Sequence, residues 1–149
     1  MKKVLFIIPP YFNADDYLNK SRAAVLPSFT IPYGILSMES YLNARCKSPV
    51  EMQLLDLNVT LQKLVEDKFE GDYTAVFGEE IRRRLRAFNP QFVGVSALFN
   101  SSNRYIQVVV KVCKDFDPNI ITLAGGGLPS AAYKLMLEGC RCRAAFVER

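Results

Sequence analysis

The chain contains no histidine. Its absence removes the usual base for proton transfer near neutral pH and the commonest metal ligand. No nucleophile and base pair can be assembled unless lysine or a carboxylate substitutes, so no catalytic or metal-ligating set is assigned. Cysteine is sparse, at four residues without the rhythm of a disulfide scaffold, which suits a reducing compartment. Cys140 and Cys142 are the one close pair, and with no third ligand nearby they read as free thiols. No apolar run approaches the roughly 18 residues that a membrane span requires. Lys2-Lys3 leads into a short strand-like run, not a signal-peptide core, and the chain is expected in the cytoplasm. A net charge of +4 is too small and too scattered to argue for nucleic acid or a membrane surface. Its densest basic run, Arg82 to Arg86, reads as the solvated side of a helix. Also missing are a Gly-x-Gly-x-x-Gly turn, a P-loop and an acidic cluster directly after the first strand. Those absences weigh against dinucleotide, nucleoside triphosphate and phosphoacceptor sites.

What remains is an ordinary globular composition, 50% hydrophobic and 23% charged in 149 residues, the size of one domain. Continuous apolar runs at Lys3 to Ile8 and Phe92 to Ser96 predict central strands buried on both faces. Val50 to Leu57 alternates at its start, which puts that strand nearer the sheet edge. Asn119 to Ala124 and Ala144 to Val147 supply two more. Helical spacing appears in Ile35, Met38, Leu42 and Cys46 after Pro32; in Leu61, Leu64 and Val65; in Phe77, Ile81, Leu85 and Phe88; and in a short segment through Leu135 and Met136. It is cleanest in Tyr105, Val108, Val109, Val112, Cys113 and Phe116. Strand alternating with helix predicts an α/β, flavodoxin-like doubly wound parallel sheet of about five strands with helices on both faces.

Ligands in such sheets bind outside the carboxyl ends of the strands, where the strand order reverses. Pro9-Pro10 ends the first strand abruptly, since neither residue donates to a ladder. Tyr11 to Thr30 then shows no period, and a connection of that length is usually functional. The third strand opens into Ser96, Leu98, Phe99, Asn100, Ser101 and Ser102, and the fourth into Gly125-Gly126-Gly127 followed by Leu128-Pro129. Three glycines clear side chains from one spot. A plainer reading stands beside this one: the glycines make a tight turn, and a serine caps the helix starting near Asn103.

Taken together, these residues resemble the cobalamin-binding domain found at the amino end of radical S-adenosylmethionine enzymes. Ser96-Ala97-Leu98 and Gly125-Gly126, separated by residues 99 to 124, resemble that family's Ser-x-Leu and Gly-Gly pair. Pro9-Pro10, Pro32-Tyr33-Gly34 and Leu55-Asp56-Leu57-Asn58 are similar to the subgroup's opening. The resemblance implies that the domain binds cobalamin, with Ser96 as hydrogen-bond partner of the tail base and Leu98 as an apolar contact. Gly125 and Gly126 would admit the tail, and the Tyr11 to Thr30 loop with Tyr33 and Gly34 would lie beneath the corrin ring. Cobalamin domains of the methionine-synthase type carry Asp-x-His-x-x-Gly after the first strand, so a chain without histidine would leave the lower face of cobalt without an imidazole ligand. Residues 1–149 would then be the amino-terminal part of a longer enzyme. Its C-terminal barrel would hold S-adenosylmethionine and a 4Fe-4S iron-sulfur cluster on Cys-x-x-x-Cys-x-x-Cys and would carry out the chemistry, as a methyltransferase or a related radical enzyme. Two other readings remain open: a cofactor-free docking or regulatory module whose crevice is filled by Tyr11, Tyr33 and Phe99, and a flavin or nucleotide binder.

Overall fold

The computed structural model describes residues 1–11, 31–98, 102–139 and 144–145, with backbone alone at 133, 135–139 and 144–145. Among the described residues ten elements follow one another: β1 (Lys2–Ile8), α1 (Tyr33–Arg45), β2 (Val50–Asp56), α2 (Leu57–Glu66), α3 (Tyr73–Phe88), β3 (Phe92–Ser96), α4 (Asn103–Phe116), β4 (Ile121–Gly125), α5 (Gly127–Gly139) and β5 (Ala144–Ala145). The strands form one sheet in the order β2-β1-β3-β4-β5, and every pair is parallel. This is the flavodoxin-like order, with β1 central and β2 at an edge, as the hydrophobic patterns predict. The order reverses between β1 and β3, which defines the switch point.

Local chemistry sets the boundaries. Asp72 caps α3 by accepting from the amides of Thr74 and Ala75 at 2.8 and 3.2 Å. Asn89 ends the helix in the left-handed region at φ 49°, and Pro90 prevents its continuation. The strand predicted to reach Leu57 stops at Asp56, whose carboxylate accepts from the Asn58 amide and starts α2 without a loop. The helix predicted after Pro129 instead begins at Gly127, with a kink at Ala132. Of the fifth strand, Ala144 and Ala145 are described; Val147, Cys140 and Cys142 lie outside the described residues.

Alternation along the strands gives the sheet two faces. Leu5, Ile7, Leu55, Val93, Val95 and Ala124 are in register with one another and buried. They pack against Leu61 of α2, Phe77, Ile81, Leu85 and Phe88 of α3, and Ile106, Val109 and Cys113 of α4. Ile81 and Leu85 are fully enclosed, each contributing roughly 1.5–3 kcal/mol of burial. Phe77 meets Tyr105 edge to face at 5.7 Å, joining the α3 and α4 stripes.

The second face carries Val4, Phe6 and Ile8 of β1, Met52 and Leu54 of β2, Phe92 and Ser96 of β3, and Ile121, Leu123 and Gly125 of β4. The β1 to β2 connection runs opposite to all the others, and right-handed crossovers therefore put α1 on this face. Its apolar residues are only half-buried, apart from Ile8. The α1 stripe predicted from Ile35, Met38, Leu42 and Cys46 is buried at Ile35 alone: Met38 is 43% exposed and Cys46 is exposed. The spacing was helical, but a buried stripe also needs an opposing layer, and α1 packs chiefly against the edge strand β2.

Candidate functional site

Three strand exits meet at the carboxyl rim. Pro9 and Pro10 follow β1, and both are buried. The Asn58 side chain, 1% exposed, donates from Nδ2 to the Pro9 carbonyl at 3.2 Å and to Asp56 Oδ1 at 2.8 Å, while its Oδ1 accepts from the Tyr11 amide at 2.9 Å. Ser102 Oγ donates to the Pro10 carbonyl at 3.2 Å and is fully buried. Ser102 occupies the N-cap position of α4 without capping it, so the expected serine cap is not made there and Ser102 instead spans the switch point. A proline pair offers carbonyls without amides, and these two side chains satisfy both carbonyls. Together they hold the β1 exit against β2 on one side and against α4 on the other.

Ser96 and Gly125 are register partners on adjacent strands. Both lie on the second, incompletely covered face of the sheet, and Ser96 Oγ makes no hydrogen bond among the described residues. A Cβ built on Gly125 meets nothing within 4 Å, so the space beside the hydroxyl is open. Gly126 differs from its neighbour. Its φ is +104°, and a Cβ there would fall 2.6 Å from the Ala97 carbonyl oxygen. That close approach belongs to the chain's own packing: Ala97 N–H donates to Gly125 O at 2.8 Å and Leu128 N–H to Ala97 O at 3.2 Å, tying the two exits together. Gly127 is intermediate, with Leu98 O at 3.2 Å from its would-be Cβ.

The remaining predicted residues fall into three groups. Leu128 and Pro129 are buried at the start of α5, where Leu128 joins the main core. Leu98 is 54% exposed beside the Ser96 exit. Tyr33, 72% exposed, and Gly34, whose Cβ position has nothing within 4 Å, open α1 at the carboxyl rim. Phe99, Asn100 and residues 12–30 lie outside the described residues.

Further down the same face, the Phe6 ring lies across Gly94, 2.6 Å from where a Cβ would stand. A half-buried aromatic ring, a glycine with no side chain, a free hydroxyl and an empty Cβ position thus succeed one another over β1, β3 and β4. The residues whose roles were not apparent in sequence are Asn58 and Ser102, because their partners, Pro9 and Pro10, are distant along the chain. Among the described residues there is no cluster of metal-ligating side chains and no helix long and apolar enough to cross a membrane.

Comparison with protein families finds that the B12 binding domain model matches residues 20–148 of this chain. No curated protein matches it.

Proposed function

The chain belongs to the B12-binding domain family, and on that premise we propose that it holds cobalamin with the nucleotide tail laid along the second sheet face. The observation that carries this reading is the pairing of Ser96 with Gly125, a hydroxyl without a partner among the described residues beside a vacant Cβ position. Ser96 Oγ would hydrogen-bond the tail base, Leu98 would offer an apolar contact at the mouth, and Gly125 would leave room for the tail to pass. Gly126 supports the corner by closing β3 onto β4. Pro9, Pro10 and Tyr11, braced by Asn58 and Ser102, would form the floor beneath the corrin ring, with Tyr33 and Gly34 beside it.

Bound cobalamin supplies methyl-carrier and related organometallic chemistry. The protein's own part would be to seat the tail and exclude water from the sheet face, and with no histidine in these 149 residues it would offer the cofactor no imidazole. We further propose that the domain serves a radical S-adenosylmethionine enzyme, a methyltransferase or a relative of one, whose iron-sulfur barrel is separate from residues 1–149. Pro9-Pro10, Pro32-Tyr33-Gly34 and Leu55-Asp56-Leu57-Asn58 support that assignment.

Titration with hydroxocobalamin, followed by visible spectroscopy, tests the first proposal. A saturable spectral change is expected, and after reduction the electron paramagnetic resonance spectrum should lack splitting from an axial nitrogen. An unchanged spectrum at several hundred micromolar protein refutes cobalamin binding. The enzyme context is tested by searching the adjoining coding sequence for Cys-x-x-x-Cys-x-x-Cys.

A further inference from the structure

The outer edge of the sheet is remote from the Ser96 corner and makes a separate case. Among the described residues β2 is outermost and is paired with β1 alone. Its sequence, Val-Glu-Met-Gln-Leu-Leu-Asp, contains no proline, glycine or lysine, the residues with which edge strands commonly discourage pairing. Among the described residues no further backbone hydrogen bond reaches its outer side. Seven residues of edge without a partner among the described residues are a template for another strand.

The surfaces flanking that edge differ in character. On the second face, α1 rests on β2 and exposes Leu36, Met38 and Tyr41. On the first face, an open groove of about 450 Å³ lies between β2, α2 and α3. Its charged lining is Lys63, Arg83 and Arg84 against Asp56 and Glu80, which leaves one net positive charge. Arg83 is engaged by Glu80 at 2.9 Å, whereas Lys63 and Arg84 form no ion pair or hydrogen bond among the described residues. Glu51, at the opposite end of β2, shares this face with Leu55 by alternation; its side chain is 40% exposed, and its ion pair is a 3.9 Å contact with Lys3.

We infer that β2 pairs antiparallel with β2 of a second copy of this chain, about a two-fold axis at Gln53. In that register residue 51 stands opposite residue 55, so Glu51 of each copy reaches the Lys63 and Arg84 groove of the other. The same rotation keeps like faces together and brings the two α1 helices side by side, apolar surface toward apolar surface. The contact is isologous and therefore closes as a dimer with one sheet running through both copies. It uses an edge without a partner among the described residues, an apolar helix surface and two cations that no ion pair among the described residues holds. None of these is at the proposed cobalamin site.

Sedimentation equilibrium on the whole chain, without cobalamin, tests this. A dimer is expected. Glu51→Lys and Lys63→Glu should each raise its dissociation constant about tenfold, because the pair occurs twice in a two-fold interface. Combining the two substitutions should restore association. Hydrogen exchange over residues 50–56 should slow as concentration rises, which reports pairing independently of either variant. A chain that stays monomeric at several hundred micromolar overturns the inference, and so does a dimer indifferent to both charge reversals.

Discussion

Gly125 and Gly126 are chemically identical neighbours, yet substitution should separate them. At Gly126 a methyl group would meet the Ala97 carbonyl oxygen at 2.6 Å on a backbone with φ +104°. Strain at such a backbone position costs on the order of 1–3 kcal/mol. The overlap adds to it, because Ala97 is held by hydrogen bonds to both Gly125 and Leu128 and cannot retreat cheaply. A loss of about 3 kcal/mol lowers the melting temperature of a domain of this size by roughly 6–12 °C. At Gly125 the same methyl group meets nothing within 4 Å, so Gly125→Ala should melt within about 2 °C of the parent. The larger Gly125→Val keeps the fold but fills the space beside Ser96, and should weaken hydroxocobalamin binding at least about tenfold, since an overpacked contact costs about 1–3 kcal/mol. Thermal melts by circular dichroism and cobalamin titration read the two effects separately. If Gly126→Ala melts like the parent, the packing argument fails; if Gly125→Val binds cobalamin unchanged, the tail does not pass that corner.

Asn58→Ala removes bonds to the Pro9 carbonyl, the Tyr11 amide and Asp56, and should cost about 2–4 kcal/mol, with faster hydrogen exchange at Tyr11 as its local sign. Thr122 is fully buried on the helix-packed face, and its Oγ1 has no hydrogen-bond partner; Thr122→Val should therefore raise stability by about 1 kcal/mol in denaturant unfolding. The hydrogen bond from Arg83 holds the Glu80 carboxyl below its ordinary value, against some burial, with Arg84 and Lys63 adding to the effect. A depressed folded-state pKa contributes stability that is present above the ordinary value of 4.5 and lost as pH falls through the folded value. Glu80→Gln should accordingly lower stability slightly near neutrality, and the difference from the parent should disappear in acid as Glu80 of the parent protonates, by melting curves across pH.

Much of the fold was legible because it rests on periodicity. The Phe92 to Ser96 run and the Tyr105 to Cys113 stripe lie where apolar spacing puts them, since a sheet buried on both faces and a helix packed on one leave different patterns. The α1 stripe failed for a reason of the same kind in reverse: its spacing is helical, but little stands opposite it. At the site, the strand ends were legible and their internal division of labour was not. Three glycines in succession look equivalent until backbone angles and neighbours distinguish an open corner from a close approach. A serine was expected to cap the helix starting near Asn103; Ser102, at the N-cap position, makes no capping bond and bridges to the Pro10 carbonyl.

The amino-acid sequence by itself determined the alternation of strand and helix, the absence of any imidazole and the placing of small residues after the third and fourth strands. These are local or compositional properties and need no knowledge of what lies across the molecule. Only the tertiary structure decided that Ser96 and Gly125 share one sheet face, that Asn58 and Ser102 secure the proline pair, and that the outer side of β2 has no backbone partner among the described residues. Each of those depends on register and crossover direction, through which residues distant in the chain become neighbours.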